Sequence, residues 1–122
     1  MKTIQYTLVQ GIATVTFDQP NSPVNTMSQE ALDIAGADGR EIYVDLDVDV
    51  CDRSVVPACP AAMPGGISAD ELRQAALLLG ADKRVRAIDI TEIDAAADSD
   101  DQRTVRLAAL LVLEAAAGFA TR

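Results

Sequence analysis

Residues 45–52 read DLDVDVCD and place four aspartates in eight positions of a segment that otherwise has the pattern of a buried strand. Apolar residues alternate over positions 42–50, which predicts a strand with one face in the core. On such a strand Asp45, Asp47 and Asp49 share the other face, with successive Cα atoms roughly 6.5–7 Å apart. Carboxylates at that spacing repel one another unless a cation lies among them or the strand end lies in water. The pattern therefore predicts a divalent-metal site, with a solvated strand end or an N-cap cluster as the alternative.

The carboxylates favour a hard or borderline divalent cation, because such ions prefer oxygen ligands. The aspartate run also lies where a parallel strand ends, and ligands of α/β proteins gather at the carboxyl ends of strands. An EF-hand does not fit. A loop starting at Asp45 has Val50 where glycine is needed and Val56 where the bidentate glutamate belongs.

The whole chain is acidic, with 19 Asp and Glu against 10 Lys and Arg, and it contains no histidine. The net charge of −9 disfavours nucleic acid as a partner and favours divalent cations. No signal peptide is recognisable, and the longest apolar run, residues 107–113, is far shorter than the roughly 18 residues that span a bilayer. We therefore expect a cytoplasmic protein with no membrane partner. Cys51 and Cys59 are expected to be free buried thiols, with a disulfide as the alternative.

The remaining elements predict an α/β fold. In chain order they are a β-hairpin within residues 3–17, a helix opened by the capping box Ser68–Glu71 and stopped by Gly80, a strand over 85–91, and a helix over 100–117 opened by the capping box Ser99–Gln102. We expect a single compact domain over residues 1–122, with the N-terminal β-hairpin joined to a small parallel β-α-β-α unit and helices covering the sheet. The hairpin is expected to add its strands to the sheet of residues 42–49 and 85–91, since it is the candidate to cover an open edge.

Two segments resemble the ureohydrolase family, which includes arginase, agmatinase and formiminoglutamase. DVDVCDRSVVPACPAAMPGG, residues 47–66, is similar to the last signature of that family; the matching residues are Asp47, Asp49, Asp52, Ser54, Pro57, Gly65 and Gly66. Downstream, AIDITEID resembles a family strand and places Asp89, Glu92 and Asp94, and TVRLAALLVLEA resembles the closing helix of the family. Arg53 stands where proline is usual, and residues 60–62 also depart from the signature. These departures are nearest to the formiminoglutamase-like branch.

The resemblance implies a hydrolase that uses two manganese ions to cleave guanidino or formimino C–N bonds. It implies Asp47 and Asp49 as metal ligands, with Asp47 bridging the two ions, and Glu92 beside the cationic group of the substrate. The other ligands of the family include histidines, and this chain has none. We therefore expect a weak or vestigial manganese site, with no catalytic residue and no activity from this chain alone.

Residues 1–30 resemble the N-terminal hairpin of the enoyl-CoA hydratase (crotonase) family, through Asp18, Pro20 and the run Asn25–Met27. Most of the residues that acyl-CoA chemistry requires are absent, so the hairpin is interpreted as strands added to a sheet. The two resemblances together predict a chimera or fragment. Its parts are a crotonase-like segment over 1–27, a junction over 28–40 and a ureohydrolase-like segment over 41–122.

Two functions remain open. The first is a ureohydrolase-type segment that retains part of a two-manganese site. The second is a non-catalytic remnant or chimeric domain that serves folding or assembly only. The helix over 100–117 is apolar almost all round, so we also expect a homo-oligomer, as a dimer or by strand exchange.

Overall fold

A computed structural model describes residues 4–9, 12–17 and 29–122 of the protein. Its strands and α-helices, in chain order, are β1 (Ile4–Val9), β2 (Ile12–Phe17), α1 (Gln29–Ala35), β3 (Ile42–Asp47), α2 (Ala69–Ala81), β4 (Val85–Thr91) and α3 (Arg103–Phe119). Short 3₁₀ helices lie at Ala37–Gly39, Val48–Val50 and Ala95–Ala97. The chain divides into two compact units, Met1–Ile42 and Tyr43–Arg122. The crotonase-like positions Asp18, Pro20 and Asn25–Met27 lie outside the described residues.

The described strands form two separate two-stranded sheets. β1 and β2 pair antiparallel, with Ile4 opposite Phe17 and Val9 opposite Ile12, so the predicted hairpin is confirmed. β3 and β4 form the second, parallel sheet, with α2 as the connection between them. The α/β class is therefore confirmed. The expectation that the hairpin extends the second sheet is not confirmed, because among the described residues β1 pairs only with β2, and β3 only with β4. The single domain over residues 1–122 stays a prediction.

Alternating burial in β3 follows the alternating sequence: Val44 and Leu46 are buried, while Tyr43 and Asp45 are exposed. Both helices of the second unit contribute one apolar stripe to its core, listed here by helix: Leu72, Ala76 and Leu79 from α2, and Leu107, Leu111 and Ala115 from α3. Spacings of three and four residues place each stripe on one helical face. None of the helices in the described part of the chain is long and apolar enough to cross a membrane.

Glycines allow α2 and α3 to approach at backbone distance. A Cβ added to Gly80 would lie 2.3 Å from the carbonyl oxygen of Ala115, and one added to Gly118 would lie 2.3 Å from that of Leu77. Gly80 was predicted to end α2, and this prediction is wrong because the helix continues to Ala81. Its role is to remove a side chain from the helix contact. Arg122 then closes this end of α2, since its Nε donates to the Gly80 carbonyl at 2.7 Å.

The two predicted capping boxes have different outcomes. The first is confirmed: the Ser68 hydroxyl accepts from the Glu71 amide, while the Ser68 amide donates to Glu71 Oε2 at 2.8 Å. The second is wrong, because the side chain of Gln102 makes no capping bond and α3 begins only at Arg103.

Asp98, four residues before the N-cap position, supplies the missing cap of α3. Its carboxylate accepts from the amides of Thr104 and Val105 and from the Thr104 hydroxyl, at 3.4, 3.0 and 2.9 Å. Partial burial by itself raises the pKa of Asp98, but hydrogen bonds from Val105, Thr104 and Ser99 outweigh this effect and hold the pKa below its usual value. The carboxylate therefore stabilises the folded state in its ionised form.

We expect Asp98→Ala to lower the melting temperature at pH 7 by several degrees, because two helix amides and the Thr104 hydroxyl lose their acceptor. Since the folded pKa is below the unfolded one, the contribution of Asp98 is complete above the unfolded pKa and disappears as the pH falls through the folded pKa. The difference between wild type and Asp98→Ala should therefore shrink on acidification. Asp100→Asn, a nearby exposed charge change, is the control. Thermal scans from pH 7 down to pH 2 make the measurement, and a difference that persists at pH 2 contradicts the assignment.

Candidate functional site

The aspartate-rich segment leaves the strand conformation in its middle. β3 ends at Asp47, and Val48–Val50 form a 3₁₀ helix whose N-cap is Asp47. Asp47 Oδ1 accepts from the Asp49 amide at 2.9 Å, a local bond that aspartate makes two residues along its own backbone. The prediction that Asp45, Asp47 and Asp49 share one strand face is therefore wrong for Asp49, which lies beyond the strand.

The turn nevertheless keeps two carboxyl groups together. Asp47 and Asp49 are both partly exposed. Desolvation, the negative charge of Asp47 and a side-chain interaction with Asp47 all raise the pKa of Asp49. The carboxylate of Asp49 is thus held at an energetic cost that a nearby cation would relieve.

The other two aspartates of the segment have structural partners. Asp45 Oδ1 accepts from the Thr91 hydroxyl at 2.7 Å and links β3 to β4. Asp52 accepts from the amide and hydroxyl of Ser54 and, through its other oxygen, from the Gly65 amide at 2.7 Å. Hydrogen bonds from the Ser54 hydroxyl, the Gly65 amide and the Ser54 amide lower the pKa of Asp52. Asp52 therefore closes the loop between Asp52 and Gly65.

That loop returns to the end of the aspartate segment. Cys51 and Ile67 form an isolated parallel bridge, in which the Ile67 amide donates to the Val50 carbonyl at 2.9 Å. Gly66 lies directly against this backbone: a Cβ added there would lie 2.3 Å from the Cys51 carbonyl carbon and 2.5 Å from the Asp52 nitrogen. Position 66 therefore requires glycine, because the neighbouring backbone leaves no room for a side chain.

Arg53 explains one departure from the ureohydrolase signature. Its Nη1 donates to the carbonyls of Cys59 and Pro60, at 3.3 and 3.2 Å, and its amide donates to the Met63 carbonyl. The side chain thus ties together the stretch in which residues 60–62 also depart from the signature. These bonds were not predictable from the sequence, because a residue's contacts across a loop depend on where the loop returns.

Both cysteines are buried and free, so the expected thiols are confirmed. Burial, followed in size by the influence of Cys59, raises the pKa of the Cys51 thiol to about 11. At neutral pH Cys51 is therefore protonated and packs as a small apolar side chain.

Glu92 follows the last residue of β4 and is exposed. Its φ of 65° lies in the left-handed region, which few residues other than glycine adopt. The next acidic residue, Asp94, caps the 3₁₀ helix Ala95–Ala97 by accepting from the Ala96 amide, and its own amide donates to Ala58. The strand end is thus held to the loop by backbone bonds, while the carboxylate of Glu92 remains in solvent.

Asp89, the first acidic residue of the predicted strand motif, lies in β4 and is half-buried. Its Oδ1 is buried without a hydrogen-bond partner within the described residues. Interaction with the Asp89 carboxylate, followed by desolvation, raises the pKa of Tyr43. Asp89 therefore interacts with Tyr43 of β3.

The described acidic side chains provide a part of a metal site and not a complete one. In the part of the chain that the structure describes, no group of three or more Asp, Glu, Cys or His side chains is placed to hold a metal ion. Asp47 and Asp49 are brought together, and their oxygens have the chemistry that Mn²⁺ or Mg²⁺ prefers. Two carboxylates fit a part of a metal site only.

Comparisons with known proteins agree with the ureohydrolase resemblance. The Arginase family model matches residues 2–118. Formimidoylglutamase of Bacillus subtilis strain 168 is 40% identical over 78 residues, which are 64% of this chain and 24% of the relative. The crystal structure of formimidoylglutamase from the same species superposes with a TM-score of 0.69 and 36% identity, over 75% of this chain and 29% of that one. A crystal structure of Trypanosoma cruzi formiminoglutamase with Mn²⁺ superposes with a TM-score of 0.63 and 30% identity, over 76% of this chain and 31% of that one.

The chain belongs to the arginase family and is formimidoylglutamase-like. It spans about a quarter of the length of the curated relatives it matches. Because the family match begins at residue 2 and so includes the hairpin, these comparisons give no support to a crotonase-like N-terminus or to a chimera. A hairpin pattern up to Phe17 is shared by many proteins, which is why it misled the sequence interpretation.

The close contact at Gly66 generates a prediction about the loop. Gly66→Ala should lower the free energy of unfolding by about 3 kcal/mol or more, because a methyl group there overlaps the backbone of Cys51 and Asp52. Gly65→Ala is the matched control: a Cβ there meets nothing within 4 Å, and only its φ of +93° costs about 1 kcal/mol. Urea denaturation of both variants makes the comparison. Equal losses would show that the packing at Gly66 is not as described.

Proposed function

We propose that this chain is the metal-motif segment of a formimidoylglutamase-type ureohydrolase. In this proposal Asp47 and Asp49 would supply carboxylate ligands to a manganese site, and Glu92 would contact the cationic group of a formimino or guanidino substrate. The observation that carries the proposal is the turn at the end of β3, where Asp47 caps the 3₁₀ helix and keeps the Asp49 carboxylate beside its own.

The positions of Asp47, Asp49 and Glu92 support a division of roles. The carboxylate of Asp45 accepts a hydrogen bond from Thr91, and that of Asp52 accepts hydrogen bonds from Ser54 and Gly65. Glu92, by contrast, has an exposed carboxylate on a strained backbone position, and strained residues are frequent at functional sites. Manganese held by these carboxylates would supply the activation of water that hydrolysis requires.

The chain by itself is proposed to be inactive. It contains no histidine, so the imidazole ligands and the proton-transferring imidazole that the family resemblance implies must come from elsewhere. The second candidate function is a non-catalytic remnant that serves folding or assembly only. The hydrogen bonds of Asp45 and Asp52 favour this second candidate, because these two carboxylates have protein partners without a metal ion.

Metal binding separates the two candidates. We expect millimolar Mn²⁺ or Mg²⁺ to raise the melting temperature slightly, because a ligand that binds the folded state preferentially stabilises it. Asp49→Asn should abolish this response. Since the folded pKa of Asp49 is raised, the ionised carboxylate destabilises the fold above that pKa, and Asp49→Asn should leave the metal-free protein equally or more stable at pH 7. Calorimetric scans with and without Mn²⁺ make the measurement.

Asp100→Asn serves as the charge-matched control and should keep the full response to Mn²⁺, because this exposed residue is not part of the site. An unchanged transition in the wild-type protein would contradict the metal site. Incubation with N-formimino-glutamate, agmatine or arginine in the presence of Mn²⁺ should release neither formamide nor urea. Release of either product by this chain alone would overturn the proposed inactivity.

We also propose that the chain self-associates through α3. This helix exposes Val112 and Leu113, with 58% and 64% of their surface accessible, and Leu78 of α2 is 66% accessible. Apolar side chains so exposed favour a covering partner, and a second copy of the same chain is the occupant we propose. Light scattering at high concentration should give a dimer, and Leu113→Glu should shift it towards the monomer. A wild-type monomer at millimolar concentration contradicts the proposal.

A further inference from the structure

A cavity of about 420 Å³ lies between two helices of the second unit, α2 and α3, and the start of the loop over residues 52–65, called here the aspartate loop. Its lining residues are Ser54 and Val55 from the loop, Ala69 and Arg73 from α2, and Arg103, Arg106, Leu107 and Leu110 from α3. We propose that this cavity binds a small organic oxyanion that carries an apolar portion. The site is separate from Asp47, Asp49 and Glu92, and it goes beyond the proposed function.

Three arginines are among the lining residues of this cavity, in a chain whose net charge is −9. Arg103 and Arg106 are three residues apart on α3 and so lie on the same helical face, while Arg73 approaches from α2. Arginine presents several N–H donors in a plane, which suits the oxygens of a carboxylate or a phosphate. The presence of three such residues around one cavity favours an anionic ligand.

Two of the three arginines are partly neutralised within the protein. Arg73 donates from Nε and Nη2 to Glu114 Oε1, at 3.1 and 2.5 Å. Arg103 pairs with Asp101 at 2.8 Å and also donates to the Ser54 carbonyl at 3.1 Å. The side chain of Arg73 is 38% exposed and that of Arg103 is 51% exposed, so further N–H donors remain available to a ligand.

Arg106 carries the excess charge. Among the residues that the structure describes, no carboxylate pairs with its guanidinium and no acceptor receives a bond from it. With Glu114 and Asp101 counted against Arg73 and Arg103, the cavity keeps one uncompensated positive charge. An arginine that lines a cavity without a partner loses little by exchanging solvent for an oxyanion, and it gains a charge-assisted hydrogen bond.

The cavity also has apolar lining residues, which favour a ligand with an apolar portion. Leu107 is buried, Leu110 is 40% exposed, and both lie on the α3 face that carries Arg103 and Arg106. Val55 and Ala69 complete the apolar wall. A volume of about 420 Å³ is within the range of roughly 300–1,000 Å³ that is usual for small-molecule pockets. The combination of a cationic side and an apolar wall selects a short-chain organic anion over an inorganic one.

The proposal is tested with four probes: acetate, hexanoate, inorganic phosphate and hexyl phosphate. We expect hexanoate or hexyl phosphate to bind the wild-type protein at least about tenfold more tightly than its short counterpart, as measured by NMR titration or calorimetry at constant ionic strength. The preferred head group distinguishes a carboxylate ligand from a phosphate ligand. Equal affinity of the long and short probes, or binding of none of them, overturns the proposal.

Arg106→Gln should weaken binding of the preferred probe by about tenfold or more, and it should fold normally because the side chain has no partner to lose. Lys83→Gln removes the same charge from an exposed position outside the cavity and should leave the affinity unchanged. Leu110→Ser should reduce the advantage of the long probe over the short one. Equal losses in Arg106→Gln and Lys83→Gln would show a general charge effect and overturn the assignment of this cavity.

Discussion

The buried hydroxyl of Thr104 joins the parts of the second unit that carry the candidate site. Its oxygen accepts from the Ala58 amide at 3.1 Å and donates to Asp98 Oδ1 at 2.9 Å, while only 1% of the residue is exposed. One side chain thereby links the aspartate loop, the segment after β4 and the first turn of α3. A buried polar group must be satisfied, so this arrangement permits little variation in where the loop lies on the helix. The cavity lined by Arg106 depends on the same contact, because it lies between that loop and that helix.

The aspartates of the loop segment show how one residue type can be distributed between structure and function. Asp45 and Asp52 are hydrogen-bonded to groups distant in sequence, and bonds from Ser54 and Gly65 lower the pKa of Asp52. Asp49 has the opposite electrostatic situation, because its pKa is raised by desolvation and by Asp47. Under the proposed function, a cation bound beside Asp47 and Asp49 would offset this cost of ionisation. The arginase-family membership of the chain gives that ligand a chemical identity to be tested, a divalent metal ion.

A part of the candidate site was predictable from sequence. The residues of the ureohydrolase-like signature were recognisable in register, and the capping box at Ser68 and the alternation of β3 followed local rules that hold within a few residues. The turn at Asp47 was not predicted, because alternating valines favour a continuing strand. The bond from Asp47 to the Asp49 amide competes with the strand and ends it. The hairpin was predicted as an element, but its sheet partner was not, since pairing between strands is decided by the fold as a whole.

The sequence by itself determined the class of the protein and the absence of imidazole from the chain, because these depend on composition and on short spacings. Only the tertiary structure decided that Asp98 caps α3, that Gly80 serves helix contact rather than helix termination, and that Arg73, Arg103 and Arg106 share one cavity. Each of these depends on atoms brought together by packing. The bond between Ala58 and Thr104, for example, spans 46 residues. Side chains acquire such partners only when the hydrophobic burial of both helices fixes the distance between segments that the sequence keeps far apart.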